Sequence, residues 1–205
     1  MFVALLIMSL TFTDSTHVHY AQQDVEALRS MLQEAETRAD RLLCRYRLYP
    51  LTEDATYIDD IPDELEDGTA RELALLAGLW GFRAAEASFI NAIRYGRRSS
   101  NLLEEARKKD PDEPFLLLIE GQSFLFRPAI AGKDVERALS AFQQLQEVLN
   151  NTEESGVPMT EARLWTWYAL RELGRDEAAD KLHTELMRAD PPPLFRQFLL
   201  DPPRS

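Results

Sequence analysis

The sequence of 205 residues has few of the side chains that carry nucleophilic or metal chemistry. It contains a single cysteine, Cys44, and three histidines, of which His183 alone lies beyond residue 19. One cysteine excludes an intramolecular disulfide, and the ligand spacing of a zinc site does not occur. A Gly-x-Ser-x-Gly motif, a glycine-rich phosphate loop and a His-Glu-x-x-His motif are absent as well. We therefore expect a protein that is not an enzyme and that uses no metal or other cofactor.

Basic residues are also scarce. The chain has 23 Lys and Arg against 35 Asp and Glu, a formal net charge of −12. A protein this acidic repels nucleic acid and anionic lipid surfaces unless a basic face is locally segregated, so we expect no nucleic-acid partner. Residues 53–67 hold eight carboxylates and no base, without the spacing of an EF-hand loop. We interpret residues 51–68 as a solvated acidic linker.

The apolar run at residues 2–12, FVALLIMSLTF, is shorter than the roughly 20 residues that a membrane-spanning helix needs. Its length is typical of the hydrophobic region of a signal peptide, and Ala21 would precede the cleavage site. However, no Lys or Arg precedes the run, and His19 is unfavourable so close to a cleavage site. A buried N-terminal helix or strand is the alternative. We expect a signal peptide over residues 1–21, export to the periplasm or beyond, and no membrane span after signal removal.

The remaining composition favours helices. Glycine is scarce, with 8 residues, whereas Ala, Leu, Glu and Arg are abundant. Apolar residues recur at spacings of three and four, as on one face of an amphipathic helix. We predict an all-α single domain over residues 22–205. Its helices should cover about residues 24–49, 69–95, 99–110, 113–127, 134–149, 160–173 and 177–190, with a final turn or two from residue 194.

Small residues recur where paired helices would cross. Ala106 lies five residues before Pro111, Gly121 lies between large residues, and Ala138 precedes Phe142 by four residues. This pattern resembles the tetratricopeptide repeat (TPR), a 34-residue helix-turn-helix, over about residues 69–191. The resemblance implies antiparallel helix pairs stacked as a short α-solenoid.

Two further segments resemble narrower groups of TPR proteins. The link "FRPAIAGKDVERAL", which begins at Phe126, is longer than a TPR turn, and "LAGLWG" occupies residues 76–81. Together they are similar to segments of uncharacterised exported bacterial TPR proteins. The link is also similar, more weakly, to one in the TPR partner subunit of periplasmic TRAP-type transporters. The resemblance to the uncharacterised group implies no known activity, and the role of the loop 127–134 stays open.

The TPR resemblance implies a concave face lined by the first helix of each pair. We expect this face to hold a protein or peptide partner, because aromatic residues with Arg are typical interface anchors. The alternatives are a small-ligand-binding accessory subunit of a periplasmic solute transporter and an envelope structural protein. The candidate binding surface comprises Trp80, Arg83, Glu120, Phe124, Trp165, Trp167 and Arg171, and the candidate contact for an acidic partner comprises Arg94, Arg97 and Arg98.

Overall fold

The structure, a computed structural model, describes residues 11–152 and 155–203 and is all-helical, with no strand in these two ranges. Short 3-10 turns occur at Ala55–Tyr57 and Ala129–Ala131. The all-α prediction is therefore confirmed. The described α-helices are α1 (Phe12–Ala21), α2 (Val25–Glu34), α3 (Arg38–Thr52), α4 (Ala70–Ala85), α5 (Phe89–Lys109), α6 (Pro114–Phe126), α7 (Val135–Leu149), α8 (Met159–Glu172), α9 (Asp176–Arg188) and α10 (Pro193–Leu200).

Polar side chains define several helix starts. Asp24 accepts a hydrogen bond from the Ala27 amide at the start of α2, and Asp134 accepts one from the Arg137 amide at the start of α7, as the sequence predicts. Thr69 and Glu72 form a reciprocal capping box at the start of α4, with N···O distances of 3.2 and 2.8 Å. These bonds satisfy amides that have no partner within the helix.

Two features of the helix predicted over residues 24–49 are wrong. The single helix predicted over residues 24–49 is divided into α2 and α3, because Thr37 accepts from the Asp40 amide and starts a new helix. Pro50 does not stop α3, which continues to Thr52. The missing amide of Pro50 costs the helix one hydrogen bond, and α3 ends two residues later.

The helix predicted over residues 69–95 ends at Ala85, and Gly96 lies inside α5 instead of terminating a helix. Ser99 and Ser100 are not caps either. The Ser99 hydroxyl donates to the Ala77 carbonyl of α4 at 2.8 Å, and the Ser100 hydroxyl donates to the carbonyl of Gly96. Side-chain bonds of this kind let serine stay inside a helix.

Helices α4, α6 and α8 all begin at the same end of the structure. Arg71, at the start of α4, donates to Glu113 Oε1 at 2.7 Å and to the Ser155 carbonyl at 3.2 Å. Glu113 caps α6, and Ser155 lies four residues before α8. The connections that follow these three helices therefore lie towards the opposite end, and α4 packs with α5, α6 with α7, and α8 with α9.

Glycine permits two close helix contacts. A Cβ atom at Gly121 would lie 2.3 Å from Cε1 of Phe142, and one at Gly78 would lie 2.7 Å from Cε2 of Tyr46. Both aromatic rings therefore pack directly against glycine backbone. The sequence pattern predicts Gly121 as a small crossing residue, and the pairing of α6 with α7 depends on it.

The segment between α3 and α4, residues 53–69, is more than a solvated linker. Most of its carboxylates are exposed, but Tyr57, Ile58 and Ile61 are buried in the core. The Trp80 indole also donates to the Pro62 carbonyl at 3.0 Å. The apolar side chains fix this segment to the helices, and its acidic side chains face water.

Residues 12–21 of the predicted signal peptide form α1, which packs against α2, α3 and α10. Thr16 and Ala21 of α1 are buried. Most of the apolar run lies outside the described residues, so export stays a prediction. Across residues 11–152 and 155–203, no helix combines the length and apolarity that crossing a membrane requires.

Candidate functional site

Three residues of the predicted binding surface are buried in the core. Trp80 packs against Tyr95 at a centroid distance of 5.1 Å, and Trp167 packs against His183 at 5.4 Å. Phe124 is covered by the guanidinium groups of nearby arginines. The side chains of Trp80, Phe124 and Trp167 therefore do not contribute to an exposed surface.

The other four residues are more accessible, but they lie on three different helices. Arg83 of α4 donates to the Asp59 carbonyl at 2.9 Å, and Glu120 of α6 is paired with Arg107. On α8, Trp165 is half-buried and its ring packs on Phe126, Phe142 and Phe198, while Arg171 is exposed. The seven residues contribute mainly to packing between helices.

The predicted contact for an acidic partner lies on α5. Arg98 forms an ion pair with Asp63, and its guanidinium lies 4.9 Å from the Trp80 ring centroid. Arg94 donates to the Tyr95 hydroxyl at 3.2 Å, and Arg97 is exposed. Among the described residues, neither Arg94 nor Arg97 has a carboxylate within ion-pair distance. These two arginines are therefore available to a partner, whereas Arg98 is engaged.

Exposed apolar side chains lie beside Arg94 and Arg97. Phe89, Ile90 and Ile93 are 71%, 80% and 45% exposed. At about 100° per residue, these three side chains and the two arginines fall within an arc of roughly 140° on α5. We call this set of five residues the α5 patch. Because residues 87–103 contain no carboxylate, the patch is locally basic in a strongly acidic protein.

The α5 patch can be recognised in the sequence, but the predicted helix boundaries do not place it at the start of a helix. The run FINAIRYGRR has apolar and basic residues and no acid. The sequence pattern predicts residues 89–95 as the last turns of a helix that begins at Thr69, and it does not mark Phe89, Ile90 or Ile93 as surface residues. The break at residues 86–88 starts a new helix there and leaves Phe89 and Ile90 exposed.

A buried ionic cluster joins α1, α3 and α8. Arg47 donates to both carboxylate oxygens of Glu161 at 2.6 and 2.8 Å, and each residue is 1% exposed. Tyr20 stacks on the guanidinium at 4.4 Å, and Nδ1 of His17 lies 3.8 Å from Glu161. Burial lowers the pKa of His17 to about 4, so the imidazole is neutral at pH 7.

We assign the ionic cluster a structural role. Its ionic side chains are enclosed, so no substrate reaches them. The sequence does not predict this cluster, because its members come from three helices that are far apart along the chain. Cys44 is also buried and therefore inaccessible. Burial raises the pKa of its thiol to about 12, so the thiol stays protonated. Among the described residues, no group of three His, Cys, Asp or Glu side chains has a geometry that would hold a metal ion.

Comparison with known proteins gives no match to a family model, to a curated protein or to a solved structure.

Proposed function

We propose that the protein is a non-catalytic binding protein, a TPR-like array of helix pairs that holds a protein or peptide partner. The succession of packed pairs α4/α5, α6/α7 and α8/α9 supports the TPR-like arrangement. The glycine contact between α6 and α7 supports it as well. Placement in the cell envelope rests on the N-terminal apolar run alone. The alternative, a small-ligand accessory subunit of a periplasmic transporter, is favoured by one observation, a cavity of about 520 Å³ beside α2 and α3.

The α5 patch is the observation that carries the proposal. Clusters of exposed large apolar side chains mark interaction sites, because water around them is released on binding. Arg94 and Arg97 border the apolar side chains without a carboxylate partner in the described ranges, and so attract negative charge. We therefore place the contact on the outer face of α5 and expect a partner with carboxylates around an apolar strip.

A pull-down from envelope extract tests this proposal with two matched variants. The double variant Ile90→Ser, Arg97→Glu removes an apolar contact and reverses a charge in the α5 patch. The control, Arg188→Glu, makes the same charge change on an exposed arginine of α9. We expect the wild type and the control to capture the same partner and the double variant to lose it, with all three melting temperatures equal.

Two results would contradict the proposal. One is a partner that the double variant captures as well as the wild type does. The other is a control that loses the partner to the same extent as the double variant does, because the interaction would then depend on net charge and not on the α5 patch. A partner that binds through the patch should also be released by salt, because screening weakens contacts between exposed charges.

A further inference from the structure

A cavity of about 520 Å³ lies between α2, α3 and the segment 53–69. Its size falls within the roughly 300–1,000 Å³ typical of small-molecule sites. Leu32, Leu42 and Tyr57 provide its apolar lining. We call it the α3 pocket. None of the residues of the α5 patch lines it.

Three arginines of α3 line the same cavity. Arg38, Arg41 and Arg45 are spaced by three and four residues, so their side chains emerge on one face of the helix. Arg38 is neutralised by Glu72, to which it donates two hydrogen bonds of 2.9 and 2.8 Å. The charge balance of the pocket therefore depends on the other two arginines.

Arg41 and Arg45 hydrogen-bond to backbone carbonyls and form no ion pair with a described residue. Arg41 uses Nη1 alone, for the carbonyls of residues 35 and 36 at the end of α2. Arg45 donates to three carbonyls of the segment 53–69. A carbonyl satisfies a donor without cancelling the positive charge. Asp60 is the one carboxylate among the lining residues, and together with Asp59 it offsets the charge of Arg45, so Arg41 provides the positive charge that faces the cavity.

We propose that the α3 pocket binds a small amphiphilic carboxylate. Its carboxylate would lie between Arg41 and Arg45, where an anion gains charge-assisted hydrogen bonds. Its aliphatic chain would lie against Leu32, Leu42 and Tyr57. A metal cation is disfavoured by the positive charge of Arg41, and a wholly apolar ligand would leave that charge without a partner. This site is separate from the α5 patch and needs no protein or peptide partner, but it rests on the same cavity as the alternative small-ligand function and gives the ligand class for it.

Isothermal titration calorimetry of the full chain with octanoate and with 1-octanol tests the proposal. The two probes share an eight-carbon chain and differ in the charge of the head group. We expect octanoate to bind about tenfold more tightly or better, because charge-assisted hydrogen bonds are the stronger kind. Arg41→Gln should remove most of this preference. The matched control Arg97→Gln, on the exposed face of α5, should retain it.

A second variant covers the case in which Arg41→Gln loosens the end of α2. Leu32→Trp fills the cavity and leaves every arginine in place, and it should weaken both probes without lowering the melting temperature. Equal affinities for octanoate and octanol would overturn the proposal, as would no octanoate binding by the folded wild type. If Arg41→Gln and Arg97→Gln reduced the preference for octanoate equally, the proposal would be overturned as well, since the effect would then reflect net charge alone.

Discussion

Replacing Glu161 with glutamine should destabilise the protein far more than the same change at a surface ion pair. Glu161 is the only carboxylate within ion-pair distance of Arg47 in the described part of the chain. Glutamine retains one acceptor oxygen but removes the charge. The guanidinium would stay enclosed by the aromatic rings of Tyr20, Tyr46 and Phe115, which lie 4.4–5.6 Å from it.

The magnitude follows from the burial of the pair. Both side chains are 2% exposed, so neither charge can be rehydrated without opening the core. Breaking a pair of this kind by removing one partner costs about 3–5 kcal/mol. We expect about 3 kcal/mol for Glu161→Gln, because one hydrogen bond remains. Replacing both partners, as Arg47→Met with Glu161→Leu, should cost less than the single change, because no buried charge is left unpaired.

Urea unfolding followed by circular dichroism measures the effect. With an m-value of about 2 kcal/mol/M, a loss of about 3 kcal/mol lowers the midpoint by about 1.5 M. The control is Glu185→Gln, which removes the partner of Arg163 at a more exposed pair between α8 and α9 and should cost less than about 1 kcal/mol. If Glu161→Gln costs no more than this control, water reaches the pair and our account of the cluster is refuted.

Two further predictions concern the core. Burial lowers the pKa of His17 from its ordinary value of 6.5 to about 4 in the folded state, so between these pH values the unfolded chain binds more protons and stability rises with pH. The rise should total about 3 kcal/mol, and a His17→Gln variant should lack it in urea unfolding at about pH 4 and pH 7. Gly121→Ala should cost about 1–3 kcal/mol, because its Cβ would lie 2.3 Å from Phe142. Gly96→Ala, where a Cβ meets no atom within 4 Å, should be neutral or stabilising by thermal melting, and equal effects at the two glycines would contradict this.

Helix positions are predicted correctly where proline, glycine or a capping residue marks the end of a helix. Helices α6 to α9 lie between strong signals, such as Pro111 before α6, Asp134 before α7 and Gly174 between α8 and α9, and their predicted positions are correct within a few residues. The breaks before α3 and α5 contain neither proline nor glycine. Apolar periodicity continues across both breaks, so it could not reveal that the chain changes direction there.

The candidate binding surface is harder to predict for a different reason. An aromatic residue at helical spacing can face a neighbouring helix or a partner, and the sequence pattern is the same in both cases. The pattern assigns Trp80 and Trp167 to a surface, yet both are buried, and it does not identify Phe89 and Ile90, which are exposed. The choice depends on which helix pairs with which, a property of the tertiary arrangement.

The buried pair also connects the export prediction to the fold. Cleavage after Ala21 would remove His17 and Tyr20, which cover Arg47 and Glu161 on the side of α1. Water would then reach the pair, and an ion pair exposed to water contributes at most about 1 kcal/mol. Glu161→Gln should therefore lower the free energy of unfolding strongly in the full chain and hardly at all in a chain that starts at residue 22. Equal costs in the two chains would mean that α1 does not protect the pair. A large difference would mean that processing at Ala21, if it occurs, removes part of the core.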